Sequence, residues 1–143
     1  MEPRIELTDA PPPEAKDKIR EPLRDFNRGK AGDSRHWPLA VLLIDPQSND
    51  IVGGLWGSTG WGYLYTDLLF IPERLRRLRL GSKLIRMAED EAARRGCHGA
   101  WVDTYSFQAR GFYERLGYTV FGTLDGPPPV YPRYFLRKAL AKA

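Results

Sequence analysis

Apolar positions in the N-terminal part of the chain predict a short strand followed by a helix. The segment from Ile5 to Thr8 is assigned to the strand. From Glu14 to Asn27, apolar residues recur at helical spacing after a rigid run of three prolines. Pro22 lies inside this pattern, and we expect it to split or kink the helix because it removes a backbone donor. The predicted apolar face holds Ile19, Leu23 and Phe26.

Three apolar segments then predict an antiparallel meander. The first strand runs from Leu39 to Ile44 and ends at a polar turn containing proline and asparagine. The second runs from Ile51 to Trp56, and the glycine-rich segment Gly57–Gly60 is expected to reverse the chain. The third covers Tyr63 to Ile71 and stops at Pro72.

The remainder of the chain changes to helical period and then returns to strands. Leu80, Leu84 and Ala88 fit one face of a helix that Gly96 would end. A strand, a short helix and two last strands are predicted over Ala100–Thr104, Gln108–Leu116, Thr119–Leu124 and Tyr134–Leu140. The order β-α-βββ-α-β-α-ββ predicts an α/β fold: a mixed, mostly antiparallel sheet flanked by helices.

Composition narrows the class of protein. The 143 residues favour one domain spanning residues 1–143, and 42% hydrophobic with 12% aromatic content argues against disorder. One cysteine, Cys97, excludes an internal disulfide framework, and with two histidines we expect no metal site. The N-terminus lacks a signal peptide's apolar run, and no stretch approaches the roughly 18–20 residues of a membrane span. We therefore expect a cytoplasmic protein with no membrane partner.

The most informative segment is a basic turn between the third meander strand and the following helix. Unpaired N–H groups at a helix start favour an anion, and Gly81 allows a ligand to approach the backbone. The pattern favours a phosphate or pyrophosphate site, with a solvated basic helix start as the alternative. A nucleotide P-loop is excluded because the Gly-Lys-Ser/Thr sequence is absent. The cations of this turn are Arg74, Arg76, Arg77, Arg79 and Lys83.

Two motifs here resemble those of the GNAT superfamily of N-acetyltransferases. The family's Gln/Arg-x-x-Gly-x-Gly/Ala signature is matched by Arg76 and Gly81, whereas Arg79 stands where the family usually has its first glycine. The second signature corresponds to Ser106–Tyr118, with Ser106 replacing the usual asparagine. The resemblance implies the family's fold and an acetyl-CoA-dependent N-acetyltransferase acting on a primary amine by direct attack.

The resemblance also implies which residues hold acetyl-CoA. Backbone amides of the basic turn would bind the pyrophosphate, and the strand end Leu69–Ile71 would pair with the pantetheine arm. Arg79 is expected to add a charge-assisted contact to phosphate. The implied coenzyme-binding residues are Leu69, Phe70, Ile71, Arg76, Arg77, Leu78, Arg79, Leu80, Gly81, Ser82, Lys83, Ser106, Ala109 and Tyr113.

Tyr113 is the candidate general acid, because a phenol can protonate the departing thiolate and the family's tyrosine at this position commonly does so. The alternative is a core tyrosine on a short helix. The attacking amine must lose a proton, and either Asp67 or Asp103 could accept it, although both could equally be solvated or capping residues. Residue type alone does not choose between them.

The acceptor and the assembly state are less constrained. Trp56, Trp61, Tyr63 and Tyr65 could wall an acceptor pocket or simply cover the sheet, and a small-molecule or peptide amine fits equally well. A second copy could pair with an exposed edge at Tyr134–Leu136, forming a homodimer. Two other functions are kept as alternatives: a coenzyme A-binding module without catalysis, and a basic nucleic-acid-binding domain, which the localised charge argues against.

Overall fold

The N-terminal part of the chain forms one helix and no strand. The computed structural model describes residues 1–141 and divides the chain into two units, Met1–Ser34 and Arg35–Ala143. Helix α1, Ala15–Ala31, continues through Pro22 without a break, so the expected split is absent. The predicted strand at Ile5–Thr8 is wrong: the segment is exposed and has no partner strand to complete a hydrogen-bond ladder.

The second unit is built on a six-stranded sheet, which is mixed and mostly antiparallel, as predicted. Its strand order is β1-β2-β3-β4-β6-β5, and only β3 and β4 pair in parallel. The strands are β1 Trp37–Ile44, β2 Ile51–Gly60, β3 Tyr63–Phe70, β4 Gly99–Tyr105, β5 Thr119–Leu124 and β6 Arg133–Ala139. Helices α2, Leu80–Arg94, and α3, Arg110–Arg115, complete the unit, and a 3₁₀ helix at Glu73–Leu78 precedes α2.

The meander is confirmed, but the chain reverses later than expected. Strand β2 includes Gly57–Gly60, because Gly57, Ser58 and Thr59 pair with both β1 and β3 and Gly60 pairs with β3. A Cβ atom at Gly57 would lie 2.2 Å from the Tyr65 carbonyl oxygen, so glycine there permits close strand contact. The reversal falls at Trp61 and Gly62, both with positive φ.

The last strand does not lie at an edge of the sheet. Strand β6 is inserted between β4 and β5, so the backbone of Tyr134–Leu136 is already paired on both sides. The expected edge pairing of a homodimer at this segment is therefore wrong. The edge strands of the sheet are β1 and β5.

Strands β3 and β4 separate towards their C-terminal ends, and this separation creates the site. Their parallel pairing ends at Thr66 and Val102. One residue later β3 carries a bulge: Gly57 pairs with Thr66 and Trp56 with Leu68, which leaves Asp67 as the extra residue. The rest of β3, through Phe70, continues beside β2 and leaves its other backbone edge open towards β4.

The core fixes this opening in place. Leu64 and Val102 are buried on the strands, and Leu84 and Ile85 of α2 and Tyr113 of α3 belong to the same cluster. Full burial of such apolar side chains contributes roughly 1.5–3 kcal/mol each.

None of the helices within residues 1–141 has the length and apolar composition that a membrane span requires.

Candidate active site

A cavity of about 720 Å³ lies where the end of β3 approaches the starts of α2 and α3. We call it the basic cavity, because three arginines contribute to its wall. It is lined by Leu69, Phe70, Ile71, Arg76, Arg79, Gly81, Ser82, Phe107, Gln108, Ala109, Phe112 and Arg115. The start of α2 therefore faces a space with positive charge around it, as an anion site requires.

Arg79 adopts a backbone conformation that favours glycine. It lies between the 3₁₀ helix and α2 with φ 56° and ψ 29°, in the left-handed region. This conformation costs a non-glycine residue roughly 1–2 kcal/mol. The sequence replaces the glycine of the family signature here, yet the backbone keeps the glycine-like turn and the arginine lines the cavity.

Close contact between α2 and α3 accounts for Gly81. A Cβ atom at this position would lie 3.1 Å from Cζ of Phe112, closer than ordinary packing allows. Arg76 is also held in place, because its Nε donates a hydrogen bond of 3.0 Å to the Ile71 carbonyl. These contacts give the floor of the basic cavity a fixed shape.

The basic cavity contains only some of the residues expected to bind a coenzyme. Eight of them line it: Leu69, Phe70, Ile71, Arg76, Arg79, Gly81, Ser82 and Ala109. The predicted residues outside its lining are Arg77, Leu78, Leu80, Lys83, Ser106 and Tyr113. Arg115 also lines the basic cavity but was not predicted. It lies within the second motif, and the available signal was an exposed cation at the end of a short helix.

A second cavity, of about 470 Å³, occupies the gap between β3 and β4, and we call it the vertex cavity. It shares Leu69, Phe70, Gln108 and Ala109 with the basic cavity, so the two adjoin at the end of β3. All three candidate catalytic residues, Tyr113, Asp67 and Asp103, line it. Its other lining residues are Tyr65, Thr66, Leu68, Thr104, Tyr105 and Arg133.

Tyr113 is both a core residue and a cavity residue. Its side chain is 6% exposed, and its ring makes edge-to-face contacts with Phe112 and Tyr118. Burial, with a further contribution from the charge of Asp103, raises the pKa of Tyr113 to about 12. The phenol therefore remains protonated at neutral pH and can act as a proton donor.

The two candidate carboxylates have different surroundings. Oδ2 of Asp103 accepts hydrogen bonds from the Arg133 guanidinium, including one of 2.8 Å from Nε. The Tyr65 hydroxyl lies 3.1 Å from Oδ1 of Asp103 and 3.3 Å from Oδ1 of Asp67. Asp67 itself is exposed on the bulge. Sequence reasoning missed Arg133, because it reaches Asp103 only through the pairing of β4 with β6, in which Arg133 lies opposite Tyr105.

The aromatic residues expected around the acceptor separate into two groups. Tyr65 lines the vertex cavity and stacks on Trp101, with ring centroids 4.1 Å apart. Trp61 and Tyr63 lie at the other end of the strands, beside the β2–β3 reversal, and Trp56 lines neither cavity. Burial and the nearby carboxylates raise the pKa of Tyr65 to about 12.

Comparison with known proteins decides the family. Residues 5–118 match the model described as the acetyltransferase (GNAT) family. The chain belongs to the GNAT acetyltransferase family. An acetyltransferase of Agrobacterium fabrum, Atu2258, is 42% identical over 121 residues, which cover 85% of this acetyltransferase and 87% of that protein. The blasticidin-S acetyltransferase of Streptomyces morookaense is 34% identical over 119 residues, which cover 82% of this acetyltransferase and 88% of that protein.

Solved structures of acetyltransferases share this fold. One from Agrobacterium tumefaciens has a TM-score of 0.90 and 37% identity, with 96% of this acetyltransferase and 99% of that chain covered. One from Bacillus cereus has a TM-score of 0.78 and covers 94% of this acetyltransferase and 98% of that chain. At 23% identity it supports the fold alone. The predicted family, fold class and enzyme class are confirmed, and the GNAT family uses acetyl-CoA as co-substrate.

Proposed function

We propose that this acetyltransferase moves the acetyl group of acetyl-CoA directly to a primary amine in the vertex cavity. The observation that carries the proposal is the junction of two chemically different cavities at the end of β3. One has arginines at a helix start, which suit the phosphates of coenzyme A. The other has a protonated phenol and carboxylates, which suit proton transfer during attack by an amine.

The coenzyme would extend along the open edge of β3 from the basic cavity to the vertex cavity. Backbone groups of Leu69, Phe70 and Ile71 lie beyond the last β3–β4 pair, so they are available to a pantetheine arm. Amides from Arg77 and Leu78, at the end of the 3₁₀ helix, to Leu80, Gly81 and Ser82, at the start of α2, would hold the pyrophosphate, with the Lys83 side chain nearby. Arg76, Arg79 and Arg115 would add charge-assisted contacts. Ser106 and Ala109 would flank the arm before it reaches Tyr113.

The transfer step includes two proton transfers, one from the attacking amine and one to the departing sulfur. The amine nitrogen forms a bond to the thioester carbonyl carbon, and the carbon–sulfur bond breaks. Asp67 accepts the proton that the amine loses, because its carboxylate is exposed at the cavity and has no cationic partner among the ion pairs of the described residues. Tyr113 donates its phenolic proton to the departing sulfur. Asp103, held by Arg133, keeps a fixed negative charge beside the amine.

The acceptor we propose is a small amine that is cationic in solution and loses one proton to water before its nitrogen attacks the thioester. Asp67 and Asp103 outnumber the single Arg133 in the lining of the vertex cavity, and the Tyr65 ring, stacked on Trp101, lines the same cavity and suits a cation. The name of the Streptomyces morookaense relative identifies a small-molecule acceptor for that protein. Homodimer formation, a cytoplasmic location and a single domain over residues 1–143 stay predictions.

Two measurements test the function. Calorimetric titration with acetyl-CoA should give saturable binding, and a panel of amines and N-terminal peptides should include one whose addition releases free coenzyme A thiol and yields the N-acetylated product. Tight binding without transfer to any acceptor would instead favour the inactive coenzyme-binding module. Failure to bind acetyl-CoA, or binding to nucleic acid that weakens steeply with salt, would overturn the proposal.

A further inference from the structure

The Tyr65 hydroxyl lies between the two carboxylates of the vertex cavity. Its oxygen is 3.1 Å from Oδ1 of Asp103 and 3.3 Å from Oδ1 of Asp67. The Tyr65 ring stacks on Trp101, with ring centroids 4.1 Å apart and an angle of 19° between the ring planes. Because this stacking holds the ring, the hydroxyl keeps a fixed place between both aspartates.

These three groups have one hydrogen too few when both carboxylates are ionised. A phenol carries a single O–H hydrogen, and an ionised carboxylate only accepts. Tyr65 therefore donates to one aspartate at a time, and the other contact has two oxygens with no hydrogen between them. If Asp67 is protonated, its O–H donates to the Tyr65 oxygen while the Tyr65 O–H donates to Asp103. Both contacts are then hydrogen bonds, so the cluster has a place for one additional proton.

The surroundings of the two aspartates indicate which of them takes that proton. Oδ2 of Asp103 accepts hydrogen bonds from the Arg133 guanidinium, and this cation favours an ionised carboxylate. Asp67 is exposed on the bulge, at the wall of the vertex cavity. Burial and the two carboxylates raise the pKa of Tyr65 to about 12, so the phenol keeps its own proton at neutral pH. Asp67 is therefore the group that gains a proton.

We propose that Tyr65 is a positioning residue that helps Asp67 take the proton of the attacking amine. This inference rests on the proposed function. As the amine nitrogen bonds to the thioester carbonyl carbon, an N–H proton moves to the Asp67 carboxylate, and the new O–H donates to the Tyr65 oxygen. The Tyr65 O–H donates to Asp103 at the same time, so no bond of Tyr65 breaks and no proton reaches Asp103. Asp67 is exposed and passes the proton to water after the product leaves.

Tyr65→Phe tests this role, because it removes the hydroxyl and keeps the ring on Trp101. Its kcat at neutral pH should fall about tenfold, the effect of one hydrogen bond lost as the proton moves, while the KM for the amine stays near wild type. Tyr63→Phe is the matched control: it removes a phenol hydroxyl from the same strand, at the end away from the vertex cavity, and should leave both constants unchanged. Wild-type kcat in Tyr65→Phe, or equal losses in the two variants, would overturn the proposal.

The pH dependence of kcat distinguishes this role from simple anchoring of the Asp67 carboxylate. The ratio of kcat in Tyr65→Phe to kcat in wild type, taken at each pH with the same amine, cancels the ionisation of the amine. In wild type the protonated form of Asp67 has one hydrogen bond more than the ionised form, so the variant keeps an ionised base to lower pH. The deficit of the variant should therefore shrink as the pH falls towards about 4. A deficit that grows would mean that Tyr65 only stabilises the ionised carboxylate, and would overturn the proposal.

Neighbouring groups do not disturb this comparison, because both proteins contain them. Strand β2 places Trp56, Gly57 and Ser58 beside this part of β3, and none of them titrates in this range. The other titratable or charged side chains that line the vertex cavity are Asp103, Tyr105, Tyr113 and Arg133.

A double variant shows whether Tyr65 acts through Asp67. Asparagine cannot take the proton, so adding Tyr65→Phe to Asp67→Asn should lower kcat no further. A second loss of the same size would mean that the two residues act independently, and would overturn the proposal. Failure of the proposed function gives a different result: a wild-type protein that neither binds acetyl-CoA nor transfers acetyl groups, or an Asp67→Asn protein with wild-type kcat. Either of these overturns the base assignment and this inference with it.

Discussion

Arg133 and Asp103 form an ion pair between neighbouring strands β6 and β4, with two guanidinium nitrogens directed at the same carboxylate oxygen. The pair is partly buried: the side chain of Asp103 is 13% exposed and that of Arg133 is 35% exposed. A carboxylate already engaged by a guanidinium is a poor acceptor for the proton of an incoming amine. The ion pair therefore favours Asp67, the other carboxylate of the vertex cavity, as the general base.

Substitution of each aspartate by asparagine tests this assignment. Asp67→Asn should lower kcat by roughly 10²–10⁴, the range for a lost general base, with little change in melting temperature because the residue is exposed. Asp103→Asn should instead destabilise the fold by about 1–3 kcal/mol, because Arg133 loses its charged partner. Urea denaturation and steady-state kinetics measure both effects. A larger loss of kcat in Asp103→Asn than in Asp67→Asn would reverse the assignment.

Arg79 offers a test of the coenzyme site in which stability and binding change in opposite directions. Arg79→Gly relieves the left-handed backbone strain and should stabilise the free protein by up to about 1 kcal/mol. The same change removes a cation from the basic cavity and should raise the Kd for acetyl-CoA about tenfold.

Arg77→Ala is the control for Arg79, because Arg77 belongs to the same basic segment but lies outside the lining of the basic cavity. Its backbone amide is kept, so calorimetry should show nearly unchanged affinity for acetyl-CoA. An Arg79→Gly protein that binds acetyl-CoA more tightly than wild type would contradict a phosphate contact by Arg79.

The sequence predicted most of the sheet because each strand carries a strong burial signal of its own. Leu64 and Val102, for example, alternate with less buried neighbours on β3 and β4. Two errors have a common cause. Ile5–Thr8 has strand-forming residues but no partner strand, and Gly57–Gly60 has turn-forming residues but partners on both sides. Hydrogen bonding to distant strands, rather than local propensity, decides both segments.

Residues of the candidate site were predictable only where they lie within one continuous sequence motif. Gly81 and Tyr113 follow from such motifs, whereas Arg133 lies 30 residues from Asp103 and becomes relevant through strand pairing. Tyr65 was expected only as a possible wall of the acceptor pocket, because its place between Asp67 and Asp103 depends on the pairing of β3 with β4.

Stability at alkaline pH reports on the environment of Tyr113. The ordinary tyrosine pKa is near 10, and burial raises that of Tyr113 to about 12 in the folded protein. Between these values the folded state binds more protons than the unfolded state, so the free energy of unfolding falls as pH rises. For Tyr113 alone the loss from pH 8 to pH 11 is about 1.4 kcal/mol.

Tyr113→Phe isolates that contribution from those of other tyrosines. Urea denaturation of both proteins at pH 8 and pH 11 should show a smaller loss of stability in the variant, by about 1.4 kcal/mol. Tyr65 and Tyr118, whose pKa values are also raised by burial, titrate in both proteins and cancel in the comparison. Equal losses in the two proteins would mean that the phenol of Tyr113 is not buried.

The chemical step in Tyr113→Phe tests the central claim most directly. A rapid-mixing experiment with saturating acetyl-CoA and an identified amine acceptor should follow the release of coenzyme A thiol in a single turnover. Loss of the phenolic proton should slow that release by roughly 10²–10⁴, while the Kd for acetyl-CoA and the fold at neutral pH stay near wild type, because the ring and its contacts with Phe112 and Tyr118 are kept. Thiol release at the wild-type rate would contradict the account and leave Tyr113 as a core residue only.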